Sequence, residues 1–149
     1  MAKVTNIYDY LTSVSTKIYR KGEIVFKEGD ISNGKMYFVF EGELEVLKKR
    51  TTGTEVIGTL AAGSFFGEIA LIKAKPRMAT IQAKSAVVKL GVIDKESFLR
   101  LSKSSPGFLF VLLKSVIERL TYAEERIEKL ELEKLELSQP KIRSIDVRS

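Results

Sequence analysis

The sequence predicts an α+β fold that is mainly β: a jelly-roll barrel of about eight strands, with its main helices gathered at the C-terminal end. Three observations carry this. Between Glu23 and Ile93, short apolar or alternating runs are separated by glycine-bearing turns. From Asp94 onward the apolar period changes from two to 3.6. Inside the β region one stretch, Phe66 to Thr80, fits neither period and instead carries a glycine, a glutamate and an arginine at spaced positions.

Taken in order, the loosely helical spacing from Ile7 to Val14 predicts a short N-terminal helix. Lys21-Gly22 turns the chain into a strand over Glu23–Lys27. Glu28-Gly29-Asp30 turns it again, and Ser32-Asn33-Gly34 has loop chemistry. Met36 to Phe40 is an apolar strand closed by Glu41-Gly42. Glu43-Leu44-Glu45-Val46 alternates charge and aliphatic, as a strand with one wet face should. Thr51 to Thr54 makes a hairpin turn into Glu55–Leu60, and Ala61-Ala62-Gly63-Ser64 leads to the exceptional stretch. Beyond it, Ala79–Ala83 and Ala86–Ile93 read as two further strands.

Asp94 is placed to cap a helix over about residues 94–104, with Phe98, Leu99 and Leu101 on one side. Ser105-Pro106 opens a second helix, since proline at the first helical position loses no hydrogen bond. That helix can run from 106 to 138, stopping before Pro140. Its first part, Phe108 to Leu113, is apolar almost all round and is expected to be buried. Further on, Leu113, Leu120 and Ile127 fall seven apart, as do Val116, Ala123, Leu130 and Leu137. Such a stripe can pack on the barrel of its own chain or on a second copy in a homodimer. Residues 1–138 are thus expected to form one domain, and residues 139–149, with Lys141, Arg143 and Arg148, a basic disordered tail.

Composition removes several classes of function. In 149 residues, 44% are hydrophobic and 30% charged, as in a soluble domain with a real core. No apolar run is long enough to span a bilayer, and residues 1–6 lack the apolar centre of a signal peptide, so a cytoplasmic location is expected. With neither cysteine nor histidine there is no disulfide, no thiolate, no histidine triad and no histidine metal site. No catalytic residue and no metal are therefore assigned. The net charge of +6 suits a polyanionic partner, and equally an ordinary protein that binds one small anion. Residues 138–149 are too few for a helix-turn-helix, so direct nucleic-acid binding is not expected.

The stretch from Phe66 to Thr80 reads as a cradle for a sugar and a phosphate. Gly67 permits a tight turn and close approach of a ligand to the backbone. Ile69–Ile72 suits one buried turn of helix, whose leading N–H groups attract an anion. Glu68 can accept hydrogen bonds from a pair of hydroxyls, and would repel a phosphate, so it belongs on the sugar side. Arg77 offers a permanent charge and a planar fork of donors for phosphate oxygens. Pro76 stiffens the entry to the next strand.

The segments Phe66-Gly67-Glu68-x-Ala70-Leu71 and Pro76-Arg77-x-Ala79-Thr80 closely resemble the phosphate-binding cassette of cyclic-nucleotide-binding domains. These are the sensor domains of protein kinase A regulatory subunits, nucleotide-gated channels and the catabolite activator protein. Phe26-x-Glu28-Gly29-Asp30, Met36 to Val39 and Gly42 resemble the family's early strands, so the resemblance covers about residues 18–130. It implies a ligand site at Phe66, Gly67, Glu68, Ile69, Ala70, Pro76, Arg77, Met78 and Ala79. Glu68 would bind the ribose 2′-hydroxyl and Arg77 the cyclic phosphate, with backbone N–H groups near Ala70 and Met78 completing the phosphate shell. Members that prefer cGMP often carry threonine after the arginine. Met78 has no hydroxyl, which favours cAMP as the ligand over cGMP. The family's base contacts on the long helix align with Ala123 and Glu124, which lack the expected hydroxyls, leaving Thr121, Tyr122 or Arg126 as other caps. Arg119 either braces Glu68 or is a plain surface arginine. The resemblance implies a non-catalytic cAMP sensor whose C-terminal helices repack on binding and act on an effector protein. The alternative is a regulatory fragment of a dimeric transcription regulator or larger effector whose output domain lies elsewhere.

Overall fold

The computed structural model describes residues 7–138; the tail at 139–149 and residues 1–6 lie outside the described residues. The order is α1 (Ile7–Tyr10), β1 (Ser15–Arg20), β2 (Ile24–Phe26), β3 (Met36–Glu41), β4 (Leu44–Arg50), β5 (Gly53–Leu60), β6 (Phe65–Phe66), α2 (Ile69–Ile72), β7 (Thr80–Ala83), β8 (Val87–Ile93), α3 (Lys95–Ser104) and α4 (Pro106–Ser138). Eight strands form two antiparallel four-stranded sheets, in the orders β1-β8-β3-β6 and β2-β7-β4-β5. The ladders are thus two sheets rather than one closed ring.

Between them lies a core drawn from both sheets: Tyr19, Tyr37, Val39, Phe66, Val88 and Leu90 from the first, and Leu44, Ile81 and Ala83 from the second. Strand β3 is buried on both faces, which explains its unbroken apolar run. Tyr37 and Val39 belong to the core cluster. Phe38, on the other face, meets the rings of Tyr8, Phe40 and Phe65. Phe65 in turn meets Phe108 of α4, and Phe108 meets Phe98 of α3. Gly42 is demanded twice at the β3–β4 turn. Its φ is +88°, and a Cβ there would lie 2.5 Å from the Val87 carbonyl oxygen.

Two strands were not legible in the sequence. Helix α1 ends at Tyr10, where Thr12 and Ser13 follow, and the chain then enters β1, paired along its whole length with β8. The helix expected to reach Val14 is therefore one turn followed by a turn carrying the buried Leu11 and Val14. So short a helix is not stable by itself, and pairing with β8 decides the rest. The two-residue β6 pairs with Tyr37 and Phe38.

Asp94 caps α3 as expected, its Oδ1 accepting the Ser97 N–H at 2.8 Å. Pro106 opens α4, with the Phe108 N–H donating to the Ser105 carbonyl at 2.9 Å. The expectation that residues 108–113 are buried all round is corrected. Phe108 and Leu112, four apart on one face, are buried, whereas Leu109, Leu113 and above all Phe110, at 69%, are exposed.

The chain divides into two units, one through Leu112 and one from Leu113. The first holds both sheets, α1 to α3 and the opening turns of α4. In the second, residues 113–138 are helical, and the stripe residues Leu113, Leu120, Ile127 and Leu130 are all exposed. No helix among the described residues is long and apolar enough to cross a membrane.

Candidate functional site

A cleft of about 160 Å³ opens in the first unit, and its lining is apolar apart from a few groups. All nine cassette positions singled out in the sequence line it: Phe66, Gly67, Glu68, Ile69, Ala70, Pro76, Arg77, Met78 and Ala79. Phe26, Lys75 and Ile81 complete the wall. Arg119, Ala123 and Glu124 lie on the exposed part of α4 in the second unit.

Arg77 is the singular group of this wall, a guanidinium-bearing residue only 6% exposed. Its backbone is pinned first, with its N–H donating to the Asp30 carbonyl at 2.9 Å and its carbonyl accepting the Gly29 N–H at 2.7 Å. Its Nη2 donates to Asn33 Oδ1 at 2.7 Å and to the Lys35 carbonyl at 3.0 Å. Its Nη1 reaches the Gly67 carbonyl at 3.4 Å, and Phe26 covers one face of the fork. Each of these acceptors is neutral, and Arg77 makes no ion pair among the described residues. Its Nε is buried without a hydrogen-bond partner. Burial pushes its pKa down, against smaller opposing effects of Tyr37 and Asp30. Arginine starts from so high a value that it stays cationic. A desolvated cation with an unused donor is costly unless an anion completes it.

Gly67 gives the cassette its shape. Its φ of +76° lies in the left-handed region, and a Cβ would sit 3.0 Å from Arg77 Nη1. Glu68 follows in helical geometry, and the single turn α2 begins. The Ala70 N–H, expected to face an anion, already has an acceptor, the Gly67 carbonyl at 3.2 Å. Nor is α2 a buried turn as a whole: Leu71 is buried, but Ile69 and Ile72 are exposed. Four residues of one turn point in all directions, so only one can face the core.

Asn33 joins the site without any mark in the sequence. Its sequence context is loop chemistry, and it does accept the Lys35 N–H at 3.1 Å in an Asx-type turn. The same Oδ1 holds Arg77, while its Nδ2 donates to the Tyr37 hydroxyl at 3.2 Å. In the sequence Phe26 is only part of a strand. Nothing local marks either residue as a neighbour of Arg77, since the approach is made by the fold.

A family model described as cyclic nucleotide-binding domain matches residues 16–105. The cAMP-dependent protein kinase regulatory subunit of Schizosaccharomyces pombe is 44% identical over 89 residues, covering 60% of this chain and 20% of that protein. A cGMP-dependent protein kinase of Eimeria tenella is 32% identical over 137 residues, covering 85% of this chain and 12% of that protein. The chain spans between 19% and 24% of the length of the first three kinase regulatory subunits it matches. In fold it is similar to the catabolite activator protein of Thermus thermophilus, with a TM-score of 0.72 at 23% identity over 84% of this chain and 58% of that one.

Proposed function

Because the chain belongs to the cyclic nucleotide-binding domain family, we propose that it binds cAMP in the cassette cleft and works as a non-catalytic sensor. The observation that carries the reading is the buried Arg77 guanidinium, held by neutral acceptors at the wall of an apolar cleft that Glu68 also lines. Arg77 takes the cyclic phosphate, where an anion offsets its desolvation. Glu68 takes the ribose 2′-hydroxyl, and the apolar wall of Ile69, Met78 and Ile81 takes the purine by burial. The preference for cAMP rests on Met78, which offers no hydroxyl to a guanine amino group. Similarity to kinase regulatory subunits named for cAMP favours the same side, although one relative is named for cGMP.

Residues 1–138 act in this reading as one sensor, with binding repacking the C-terminal helices and an effector protein or domain receiving the change. Arg119, Ala123 and Glu124 are the residues of α4 assigned to the lid. A homodimer through the stripe of α4 and a cytoplasmic location belong to the same proposal. Calorimetry with cAMP and cGMP tests it: one saturable site with cAMP the tighter ligand is expected. Saturable heat with neither nucleotide rejects the site, and tighter binding of cGMP rejects the base preference.

A further inference from the structure

We propose that Glu28 and Lys48 are a positioning pair for the anion site, clamping the loop that carries Arg77 from outside the cleft. The inference rests on the reading of the cleft as a cyclic-nucleotide site, and it concerns how that site is held in shape. The β4–β7 ladder ends at the pair Leu47↔Thr80, where the chain leaves the sheet to form the wall at residues 76–79. Past that point side chains replace the ladder. Lys48 Nζ donates to the Met78 carbonyl and lies 3.4 Å from Glu28 Oε2. The other carboxylate oxygen, Oε1, accepts the Lys49 N–H at 3.0 Å, so Glu28 is tied to β4 twice. The Glu28 N–H donates to Thr80 Oγ1 at 2.9 Å, and the next two residues bind the Arg77 backbone.

The loop is therefore held at 77, 78 and 80 by one turn and one lysine. Both side chains of the pair are about three-quarters shielded from solvent, which makes the bridge better defined than a surface pair. The Lys49 N–H, and then Lys48, hold the Glu28 carboxyl below its ordinary range, so it is a carboxylate at neutral pH. Fixing the Met78 carbonyl also fixes the following N–H, because the two groups of a trans peptide point in opposite directions. That N–H belongs to Ala79, which lines the cleft.

The pair is separable from simple electrostatic steering, because its members carry opposite charges. If charge alone mattered, Lys48→Met would weaken binding of an anion and Glu28→Gln would tighten it. A positioning role predicts that both weaken it. The expected loss of cAMP affinity by calorimetry is about three- to thirtyfold for each single change, with the double variant little worse than the weaker single one. In the ligand-free proteins, amide exchange at 77–80 should speed up several-fold while the β4–β5 hairpin is unchanged. Lys48→Arg, which keeps a charged donor, should restore most of both. Unchanged exchange at 77–80 overturns the clamp, as does tighter cAMP binding by Glu28→Gln. Should the wild type bind neither nucleotide, the proposed function falls, and the exchange measurement alone still decides the clamp.

Discussion

The Cζ of Arg77 lies 4.0 Å from the centroid of the Phe26 ring. The aromatic face supplies attraction to the cation and excludes water from that side of the fork. The hydrogen bonds to Asn33, Lys35 and Gly67 fix the fork around its rim. Arginine suits both better than lysine, which has neither the plane nor the fork. Removing one partner of a largely buried charge pair costs about 3–5 kcal/mol. Arg77→Ala should therefore weaken cAMP binding by roughly two to four decades with the sheets still folded. Phe26→Leu should cost less, about two- to thirtyfold, the range of a cation–π contact. Titration calorimetry on the two folded variants checks both, and near-normal binding by Arg77→Ala would rule out the site.

Gly67→Ala tests the cassette backbone. Left-handed geometry costs an L-residue about 1–2 kcal/mol, and the new methyl would press on Arg77 Nη1. The melting temperature should fall by roughly 2–8 °C, and cAMP affinity should fall with it because the guanidinium must shift. Unchanged affinity in a destabilised protein would separate the turn from the ligand.

Met78 is 57% exposed at the cleft wall and has room to be exchanged. Met78→Thr should favour cGMP over cAMP relative to wild type. A neutral hydrogen bond contributes about 0.5–1.5 kcal/mol net, so the affinity ratio should move by roughly three- to tenfold. Paired titrations with the two nucleotides measure the ratio, and no movement would mean that the base does not reach residue 78.

Asp94 gives a prediction about pH. Its carboxyl is held below the ordinary range, chiefly by the Ser97 N–H it accepts. A depressed pKa adds stability above the unfolded value of about 3.9 and loses it as pH falls through the folded value. Asp94→Ala should cost about 0.5–2 kcal/mol at neutral pH, and the gap to wild type should narrow in acid, as pH falls below the unfolded value of about 3.9. Denaturant unfolding at both pH values checks this; a gap of equal size at both would mean that the cap does not act through its charge.

The β region was legible because its turns are written in glycine and its strands in short apolar runs, and both α3 and α4 were announced by Asp94 and Pro106. β1 was not, because Ser15-Thr16-Lys17-Ile18-Tyr19-Arg20 buries only Tyr19 and owes its form to β8. The cassette was legible as a local string, including the arginine. Its support was not. Asn33 is 44 residues from Arg77 and Lys48 is 30 from Met78, so only the folded sheets bring them together. Burial along α4 is not legible for a related reason: composition shows that residues 108–113 are apolar, but not which side of the helix meets the core.

In the proposed sensor, the long helix is where binding would become signal. A ligand shifts an equilibrium only by its differential affinity for the two states. Glu68 and Arg77 lie in the sheet-bearing unit, so the proposed lid needs a further ligand contact from the long helix. Helix α4 is 33 residues long and carries exposed Leu113, Ile117, Leu120, Ile127 and Leu130, apolar surface that gains by finding a partner. In the proposed lid, bound cAMP would offer its adenine face as such a partner to the segment from Leu120 to Ile127. Amide exchange in residues 113–130 should therefore slow on adding cAMP, together with that in 67–80. In a dimer, truncation after Ser115 should abolish association and leave the sheets folded. Protection limited to the cassette, with α4 exchanging equally with and without ligand, would reject the lid and leave a binding protein whose signal departs by another route.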